Sequence, residues 1–258
     1  MDENLILWQL VIPPARKVCH MQELLKPIRT ESLKEVFIRR FENLILSGKF
    51  PIGQKLPSER ELALQLGVSR PVVHEGLLDL ASKGLVTMIP RVGTLVNDYR
   101  KEGSLSILTS LINYHSGNLE PGLLVSLLEM RLLFEVETAR LAARHRKRAH
   151  LDSLDALLQK EDTVNVRDVE AICELDFDFH HLIALAGGNH IYPLLLNSFK
   201  HCYANLAGQF FSDPAVVPVV FDFHKKLVQA VETKNQASAA MIMRRTLDHG
   251  AEKLKLSS

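Results

Sequence analysis

The sequence predicts a mainly α-helical protein in which three helices and a β-hairpin precede an all-α bundle of six to seven helices. Three observations support this fold class. Apolar residues recur with a helical period in the first part of the chain, strand-like segments occur together near residues 85–96, and long helical periods fill most of the rest. The 258 residues, of which 47% are hydrophobic and 24% charged, suffice for two domains with separate cores.

The first three helices follow from periodicity and capping residues. Between residues 32 and 47 apolar side chains recur with a helical period, and Gly48 is placed to end that helix. A second helix is predicted to start at Ser58, because Ser58 and Glu61 have the spacing of a capping box. Gly67 ends this short helix, and Ser69 is placed to cap a third one.

Two helices joined by a short turn that contains glycine are typical of a helix-turn-helix. After Gly84, residues 85–89 are predicted to form a strand, residues 90–93 a turn and residues 94–96 the returning strand. This hairpin would be the wing of a winged helix-turn-helix domain over residues 30–99. Residues 1–29 are expected to be an N-terminal extension, disordered and outside the core fold, because Met21 stands just before the first recognisable helix. Their apolar stretch at residues 5–13 is too short to span a membrane.

Residues 104–256 are predicted to form the helical domain, after a polar linker at residues 99–103. Its strand signals nearly vanish, and its helices are separated by glycine and proline residues. The predicted helices lie near residues 104–115, 121–145, 149–160, 166–186, 189–210, 214–233 and 236–255.

Composition restricts the function classes only weakly. The formal net charge is +1, so a nucleic-acid partner has to be argued from local motifs. Three scattered cysteines are too few for a disulfide framework or a cysteine-based zinc site, which suits a cytoplasmic protein without a membrane partner.

The third helix is the candidate DNA-reading element, because the second helix of a helix-turn-helix enters the major groove with its N-terminal residues facing the bases. Arg70 is placed to bind the two acceptors of a guanine, and Ser69 suits a phosphate oxygen. Arg60 is placed for a phosphate or groove contact, and Arg91 at the wing tip for the neighbouring minor groove.

The segments 56–63, 66–70, 84–86 and 93–96 closely resemble the N-terminal domain of the GntR family of bacterial regulators. The resemblance implies a homodimer that holds double-stranded operator DNA. Two residues depart from the family pattern, because His74 replaces a frequent arginine and Pro71 stands one place early. The candidate DNA-binding residues are Arg60, Ser69, Arg70, Pro71, His74, Arg91 and Gly93.

In the second half, Asp176 and His180 have the i, i+4 spacing that places two side chains on one helix face, where they can chelate one ion. This spacing alone is weak evidence for a metal site, since Asp–His pairs of this kind are usually surface neighbours. Residues 175–180 and 186–189 resemble the C-terminal domain of the FadR subfamily, often called FCD, and Arg131 with Glu135 extends the likeness.

That resemblance implies a divalent metal, zinc or nickel, and a small organic acid beside it. The implied metal ligands are Asp176, His180 and His224, and the implied effector-binding residues are Arg131 and Asn189. The family's fourth ligand would fall on Thr246, and the nearest replacement is His249, about 4.5 Å further along the helix axis. Two interpretations stay open: a three-ligand site completed by water or effector oxygens, which we favour, and a metal-free sensor.

The sequence therefore predicts a transcription regulator, a repressor released by a carboxylate metabolite, and not an enzyme. A metal-dependent hydrolase is disfavoured because the chain lacks His-Glu-x-x-His, Gly-x-Ser-x-Gly and a glycine-rich phosphate loop. A DNA-binding scaffold whose helical domain only dimerises is the remaining alternative.

Overall fold

The computed structural model describes residues 31–115, 117 and 119–257. They form eleven α-helices, one short 3-10 helix and one two-stranded antiparallel sheet, which confirms the predicted fold class. The predicted N-terminal extension lies outside the described residues. In chain order the elements are α1 (Leu33–Leu46), α2 (Glu59–Leu66), α3 (Arg70–Ser82), β1 (Val86–Ile89), β2 (Gly93–Val96), α4 (Tyr99–Glu102), α5 (Ile107–Tyr114), α6 (Pro121–His145), α7 (Arg148–Glu161), α8 (Val169–Ala186), α9 (Tyr192–Phe211), the 3-10 helix (Pro214–Val216), α10 (Val217–Glu232) and α11 (Gln236–Ser257).

Helices α1 to α3 and the hairpin form the winged helix-turn-helix. The predicted capping box at α2 is present, since the Ser58 amide donates to Glu61 Oε2 at 2.8 Å and the Glu61 amide donates to Ser58 Oγ. Gly67 then adopts a left-handed conformation with φ of 66°, which turns the chain from α2 into α3. Ser69 is the N-cap residue of α3 as predicted, but its side chain makes no capping hydrogen bond.

The wing is the hairpin of β1 and β2, in which Val86 lies opposite Val96 and Ile89 lies opposite Gly93. Lys55 forms an isolated bridge to Leu95, so the segment before α2 joins the hairpin edge. The core beneath the wing is apolar, and its fully buried members are Val73, Leu77, Leu80 and Leu85.

The connection between the two parts differs from the predicted polar linker. Residues 99–102 form the one-turn helix α4, because the Asp98 carboxylate accepts from the amide of Arg100. The helix predicted from residue 104 begins at Ile107, and the Ser104 hydroxyl instead donates to the carbonyl of Ser82, at the end of α3, at 2.9 Å.

Helix α5 packs against both cores. Ile107 and Leu111 lie in the core of the winged domain, whereas Ile112 packs in a cluster with residues of α6, α9 and α11. Helix α5 therefore contacts the winged domain and the helical bundle at once.

The bundle formed by α6 to α11 has α6 and α11 in extensive contact, with α8 packed between α6, α7 and α9. Small residues on α6 (Ala139, Ala142 and Ala143) are fully buried and allow close helix packing. The helix predicted at 214–233 instead starts with a 3-10 turn after Asp213, and α8 and α9 each start three residues later than predicted. Within the described ranges, no helix has the length and hydropathy needed to cross a membrane.

Candidate functional site

The exposed N-terminal part of α3 carries the predicted DNA-reading residues. Ser69, Arg70 and His74 are solvent-exposed, and Pro71 occupies the second position of the helix, where a missing amide hydrogen is tolerated. Since Ser69 makes no capping bond, both its hydroxyl and the first amides of α3 are available to an anion.

The arginines expected to contact DNA lie around this helix start. Arg60 on α2, Arg70 on α3 and Arg91 at the wing tip are exposed, and none pairs with a carboxylate in the part of the chain that the structure describes. Arg91 has a positive φ of 65°, which is uncommon for a residue with a side chain and marks a constrained turn. Three unpaired guanidinium groups on one module suit a polyanionic partner.

Lys55 is a basic residue near the wing that the sequence interpretation missed. A Cβ atom added to Gly93 would lie 2.8 Å from Lys55 Cε, so the missing side chain of Gly93 leaves room for the lysine to cross the hairpin. Gly93, a predicted DNA contact, therefore leaves space for the Lys55 side chain. The bridge between Lys55 and Leu95 depends on tertiary packing, which no local pattern reveals.

His74 makes a contact that the sequence did not indicate. Its Nδ1 lies 2.8 Å from Glu59 Oε1, across the turn between α2 and α3. The two side chains are partly exposed, at 50% for His74 and 28% for Glu59.

The helical domain contains a small cavity of about 50 Å³ that is lined by residues of α6, α8, α9, α10 and α11. Its polar end holds the groups Arg131, Asp176, His180, Tyr203 and Thr246. Its other walls are mostly aliphatic or aromatic, including Leu128, Leu206, Phe210, Phe211, Val220, Leu247 and Leu254. An apolar recess adjoins it, shares Arg131, Tyr203 and Leu206 with it, and contains Phe134, Leu196, Phe199 and Cys202.

Asp176, His180 and His224 form one buried cluster, in which one potential ligand atom of each lies within 4.8 Å of the others. Asp176 and His180 share a face of α8, as their spacing predicts, and α10 supplies His224. His224 Nε2 lies 3.4 Å from Asp176 Oδ1, and the Tyr203 hydroxyl donates to Asp176 Oδ2.

Two buried glutamates lie next to the Nδ1 atoms of His180 and His224. His180 Nδ1 lies 2.5 Å from Glu135 Oε2, and His224 Nδ1 lies 2.7 Å from Glu161 Oε1. The His224 ring also stacks on Phe179 with a centroid separation of 3.7 Å. At His224 the Glu161 carboxylate accepts the Nδ1 hydrogen bond, fixes the ring and leaves Nε2 as the nitrogen available to an ion, an arrangement common around metal-binding histidines. The contact of His180 Nδ1 with Glu135 Oε2 is an ion-pair contact without hydrogen-bond geometry.

The buried charges of the cluster stabilise one another. Burial raises the pKa of Asp176, but its contacts with His224 and His180 outweigh this and bring the pKa to about 2. Burial likewise raises the pKa of Glu135, and the charge of Arg131 outweighs it, so that this pKa is also about 2. Burial lowers the pKa of His224, but the carboxylates of Asp176 and Glu161 raise it to about 9. Without a metal, His224 is therefore an imidazolium at neutral pH.

The donor set fits a divalent metal with three protein ligands. His224 Nε2 is buried and makes no hydrogen bond within the described residues, as a nitrogen aimed at an ion would be. One carboxylate and two imidazoles are ligands that zinc and nickel accept. Ligand atoms of a tetrahedral zinc site lie about 3.4 Å apart, given bonds of about 2.0–2.2 Å, so the cluster would contract slightly around an ion.

The residue at the expected fourth metal-ligand position, Thr246, does not complete the ligand set. Thr246 lines the cavity, but its hydroxyl donates to the carbonyl of Ile242 at 3.0 Å. The structure does not bring His249 into the cluster, because its ring lies 5.9 Å from that of Phe210 and 6.3 Å from that of Phe223.

The two predicted effector-binding residues lie in different places. Arg131 lines the cavity, donates from Nε to Glu135 Oε1 at 2.6 Å and stacks over the Tyr203 ring at 4.7 Å. Asn189 lies outside the cavity lining, and its side chain accepts from the Ile191 amide at the start of α9. The sequence interpretation also left out Glu161 and Tyr203, whose roles depend on helix packing.

A winged helix with exposed arginines, joined to a helical domain around a cavity with polar lining residues, is the architecture of a DNA-binding transcription regulator with a sensor domain. Residues 33–96 match the profile of the bacterial regulatory proteins of the gntR family, and residues 97–255 match that of the FadR C-terminal domain. The chain belongs to the GntR family of bacterial regulators, with a FadR C-terminal domain, as its motifs predict.

Curated relatives and solved structures agree with this assignment. The fatty acid metabolism regulator protein of Shewanella pealeana is 32% identical over 200 residues, which cover 78% of this chain and 81% of that protein. The Shewanella oneidensis protein of the same name is 31% identical, with the same coverage of both chains. The structure of Lar, which controls the agr system of Listeria monocytogenes, is 14% identical with a TM-score of 0.63, and covers 89% of this chain and 100% of its own, which supports the fold.

Proposed function

We propose that this protein is a homodimeric cytoplasmic repressor that leaves its operator when a carboxylate from fatty acid metabolism binds the helical domain. The position of Arg131 carries the proposal, because it lies where the polar end of the cavity meets the apolar recess. A guanidinium between polar groups and an apolar recess suits a ligand with a carboxylate head and an aliphatic chain. The names of the Shewanella relatives support a ligand of this class.

At the DNA end, Arg70 would read a guanine through O6 and N7, while Ser69 and the first amides of α3 hold a phosphate. Arg60 and Arg91 would add contacts from α2 and the wing. Each copy would bind one half-site, so that the operator is an inverted repeat.

Ligand entry requires the helices around the cavity to move apart. The cavity of about 50 Å³ is far below the roughly 300–1,000 Å³ that small-molecule pockets usually provide. Leu206 of α9 and Leu254 of α11 line it and also pack in the cluster with Ile112 of α5. Opening would therefore displace α5 and bias the two winged domains away from their DNA-binding spacing, with a coupling of roughly 1–3 kcal/mol.

In the form of this proposal that we favour, Asp176, His180 and His224 hold a divalent metal. When bound, such an ion supplies an open coordination position for a carboxylate oxygen. Without it, Arg131 is already paired with Glu135, and the buried carboxylates of Asp176 and Glu161 lie beside His224, which disfavours a further carboxylate and favours a ligand with a neutral head group. The metal-free sensor is the second candidate, and the missing fourth ligand is the observation in its favour.

The experiment on DNA binding uses the purified full-length protein and a randomised duplex library. We expect selection of an inverted repeat, bound by two copies as judged by light scattering of the complex. Arg70→Ala should abolish the sequence preference. Arg100→Ala is the matched control, because Arg100 is exposed but pairs with Asp98 beyond the wing. Failure to enrich any sequence would refute the proposed function.

The experiment on the ligand compares saturated fatty acids with their methyl esters, with and without chelator, in thermal shift and DNA-release assays. We expect fatty acids to raise the melting temperature and release DNA when metal is present, and esters to be preferred after chelation. Arg131→Gln should lose the carboxylate response. Arg140→Gln on the same helix should keep it, because Arg140 pairs with Glu137 outside the cavity.

A further inference from the structure

The pair formed by Glu59 and His74 lies at the DNA-facing start of the recognition helix. Glu59 is the first residue of α2, and His74 lies one helical turn after Arg70 on α3. The contact joins His74 Nδ1 to Glu59 Oε1 at 2.8 Å. We infer that Glu59 positions His74 so that its Nε2–H donates to an acceptor on DNA, which makes operator binding take up a proton. This inference rests on the proposed function.

The contact with Glu59 decides which ring nitrogen of His74 carries the hydrogen. A carboxylate is an acceptor only, so Nδ1 must carry the hydrogen in this contact. In a neutral ring Nε2 is then a bare acceptor, and in a protonated ring Nε2–H is a donor. Within the described residues Nε2 of His74 makes no hydrogen bond, and the side chain is half exposed, so this nitrogen is free to meet DNA.

The DNA offers hydrogen-bond acceptors to Nε2 of His74. While the Nδ1–H of His74 stays on Glu59, only the protonated ring can also donate to a phosphate oxygen or to the O6 and N7 atoms of guanine. The negative phosphate backbone attracts the positive ring in the complex. DNA binding therefore takes up at most one proton per copy at this contact.

The other charged groups near His74 do not replace Glu59 in this role. Arg60 follows Glu59 on α2, and Arg70 precedes His74 by one turn on α3; neither is an acceptor. On the opposite side, Lys34 of α1 pairs with Glu75 at 3.5 Å. Glu59 is also part of the groove beneath the wing, so its carboxylate lies between the recognition helix and the hairpin.

The test measures affinity for the selected duplex by fluorescence anisotropy between pH 6 and pH 8.5 at constant salt. We expect wild-type affinity to fall as pH rises, by up to about tenfold per pH unit for each proton taken up. Glu59→Gln should bind about 3- to 30-fold more weakly at pH 7.5, because a charge-assisted hydrogen bond is lost, and its pH profile should shift to lower pH. His74→Gln should lose this pH dependence. His74→Arg should bind tightly at every pH, with a steeper salt dependence.

Glu75→Gln is the matched control, since it removes a carboxylate from the neighbouring position of α3 without touching His74. Nitrogen-15 spectra of histidine-labelled protein, assigned by difference from His74→Gln, should show hydrogen on Nδ1 of His74 in wild type. If Glu59→Gln and Glu75→Gln share the wild-type pH profile while all three bind DNA, the inference is wrong although the proposed function stands. If wild-type protein binds no duplex, both are wrong.

Discussion

Glu42 Oε1 accepts a hydrogen bond from the Ser110 hydroxyl at 2.6 Å, which joins α1 of the winged domain to α5. The same oxygen accepts from Lys83 Nζ at 2.8 Å, at the C-terminal end of α3. Both Glu42 and Ser110 are buried, so neither can exchange this bond for water. A single buried carboxylate thus connects the recognition helix to the helix that carries contacts from the sensor domain.

Loss of the Ser110 hydroxyl should destabilise the protein. Ser110→Ala removes a hydrogen bond to a buried charged group, and we expect a loss of about 1–3 kcal/mol in the free energy of unfolding, measured by urea titration. Ser126→Ala is the control, because Ser126 is exposed on α6 and should change stability by less than about 0.5 kcal/mol. Equal losses in the free energy of unfolding would show that the buried hydrogen bond of Ser110 contributes no more than the exposed one of Ser126.

Two helical glycines should respond to alanine in opposite directions. Gly208 in α9 has open space around an added Cβ, so Gly208→Ala should stabilise by about 0.5–1 kcal/mol through the lower entropy of the unfolded chain. Gly76 in α3 lies against Phe37, where a Cβ would come within 2.3 Å of the ring. Gly76→Ala should destabilise by about 1–3 kcal/mol. Thermal melts of both variants check the signs, and destabilisation by Gly208→Ala would contradict the packing seen here.

The sequence predicts local structure well where local chemistry decides it. The capping box of Ser58 and Glu61, the turn at Gly67 and the shared helix face of Asp176 and His180 all depend on spacing along one element. The pairing of Lys55 with Leu95, and the contact of Glu161 with His224, join residues far apart in the chain. No periodicity reports such contacts, because they depend on how helices pack.

Two predicted site residues show the same limit. Asn189 follows a glycine pair whose pattern resembles the family, but its side chain accepts a hydrogen bond from the amide of Ile191, just before α9. His249 is one turn from the expected fourth ligand, and its ring packs among phenylalanines. A residue's number along a helix predicts its face, whereas the side chain's partner depends on the neighbouring helix.

Metal binding should depend on the cluster and on pH. We expect about one zinc or nickel ion per chain by elemental analysis of protein purified without chelator, and little in Asp176→Asn. Because the ion must displace the proton of His224, whose pKa is raised from 6.5 to about 9, metal affinity by titration calorimetry should increase from pH 7 to pH 9.

The glutamate behind His224 supplies the matched test of this site. Glu161→Gln should weaken metal binding about 10- to 100-fold, because the carboxylate on Nδ1 orients the ring. His249→Ala should leave the affinity unchanged. Full metal content in Asp176→Asn, or its loss in His249→Ala, would show that the ion lies elsewhere.

Metal-free protein should be most stable in mildly acidic solution. The pKa of His224 is raised from 6.5 to about 9 in the folded state, so the stability that it contributes is fully present below pH 6.5 and is lost as pH rises through 9. Asp176 and Glu135 have pKa values lowered to about 2 from 3.8 and 4.5, so their contribution is present above about pH 4.5 and is lost as pH falls towards 2. Urea titrations in chelator should therefore give a maximum in the free energy of unfolding between about pH 4.5 and pH 6.5.

Added metal should move this maximum to higher pH, since His224 then binds the ion as a neutral ring. Stability that stays flat from pH 6 to pH 9 without metal would contradict a buried imidazolium between Asp176 and Glu161.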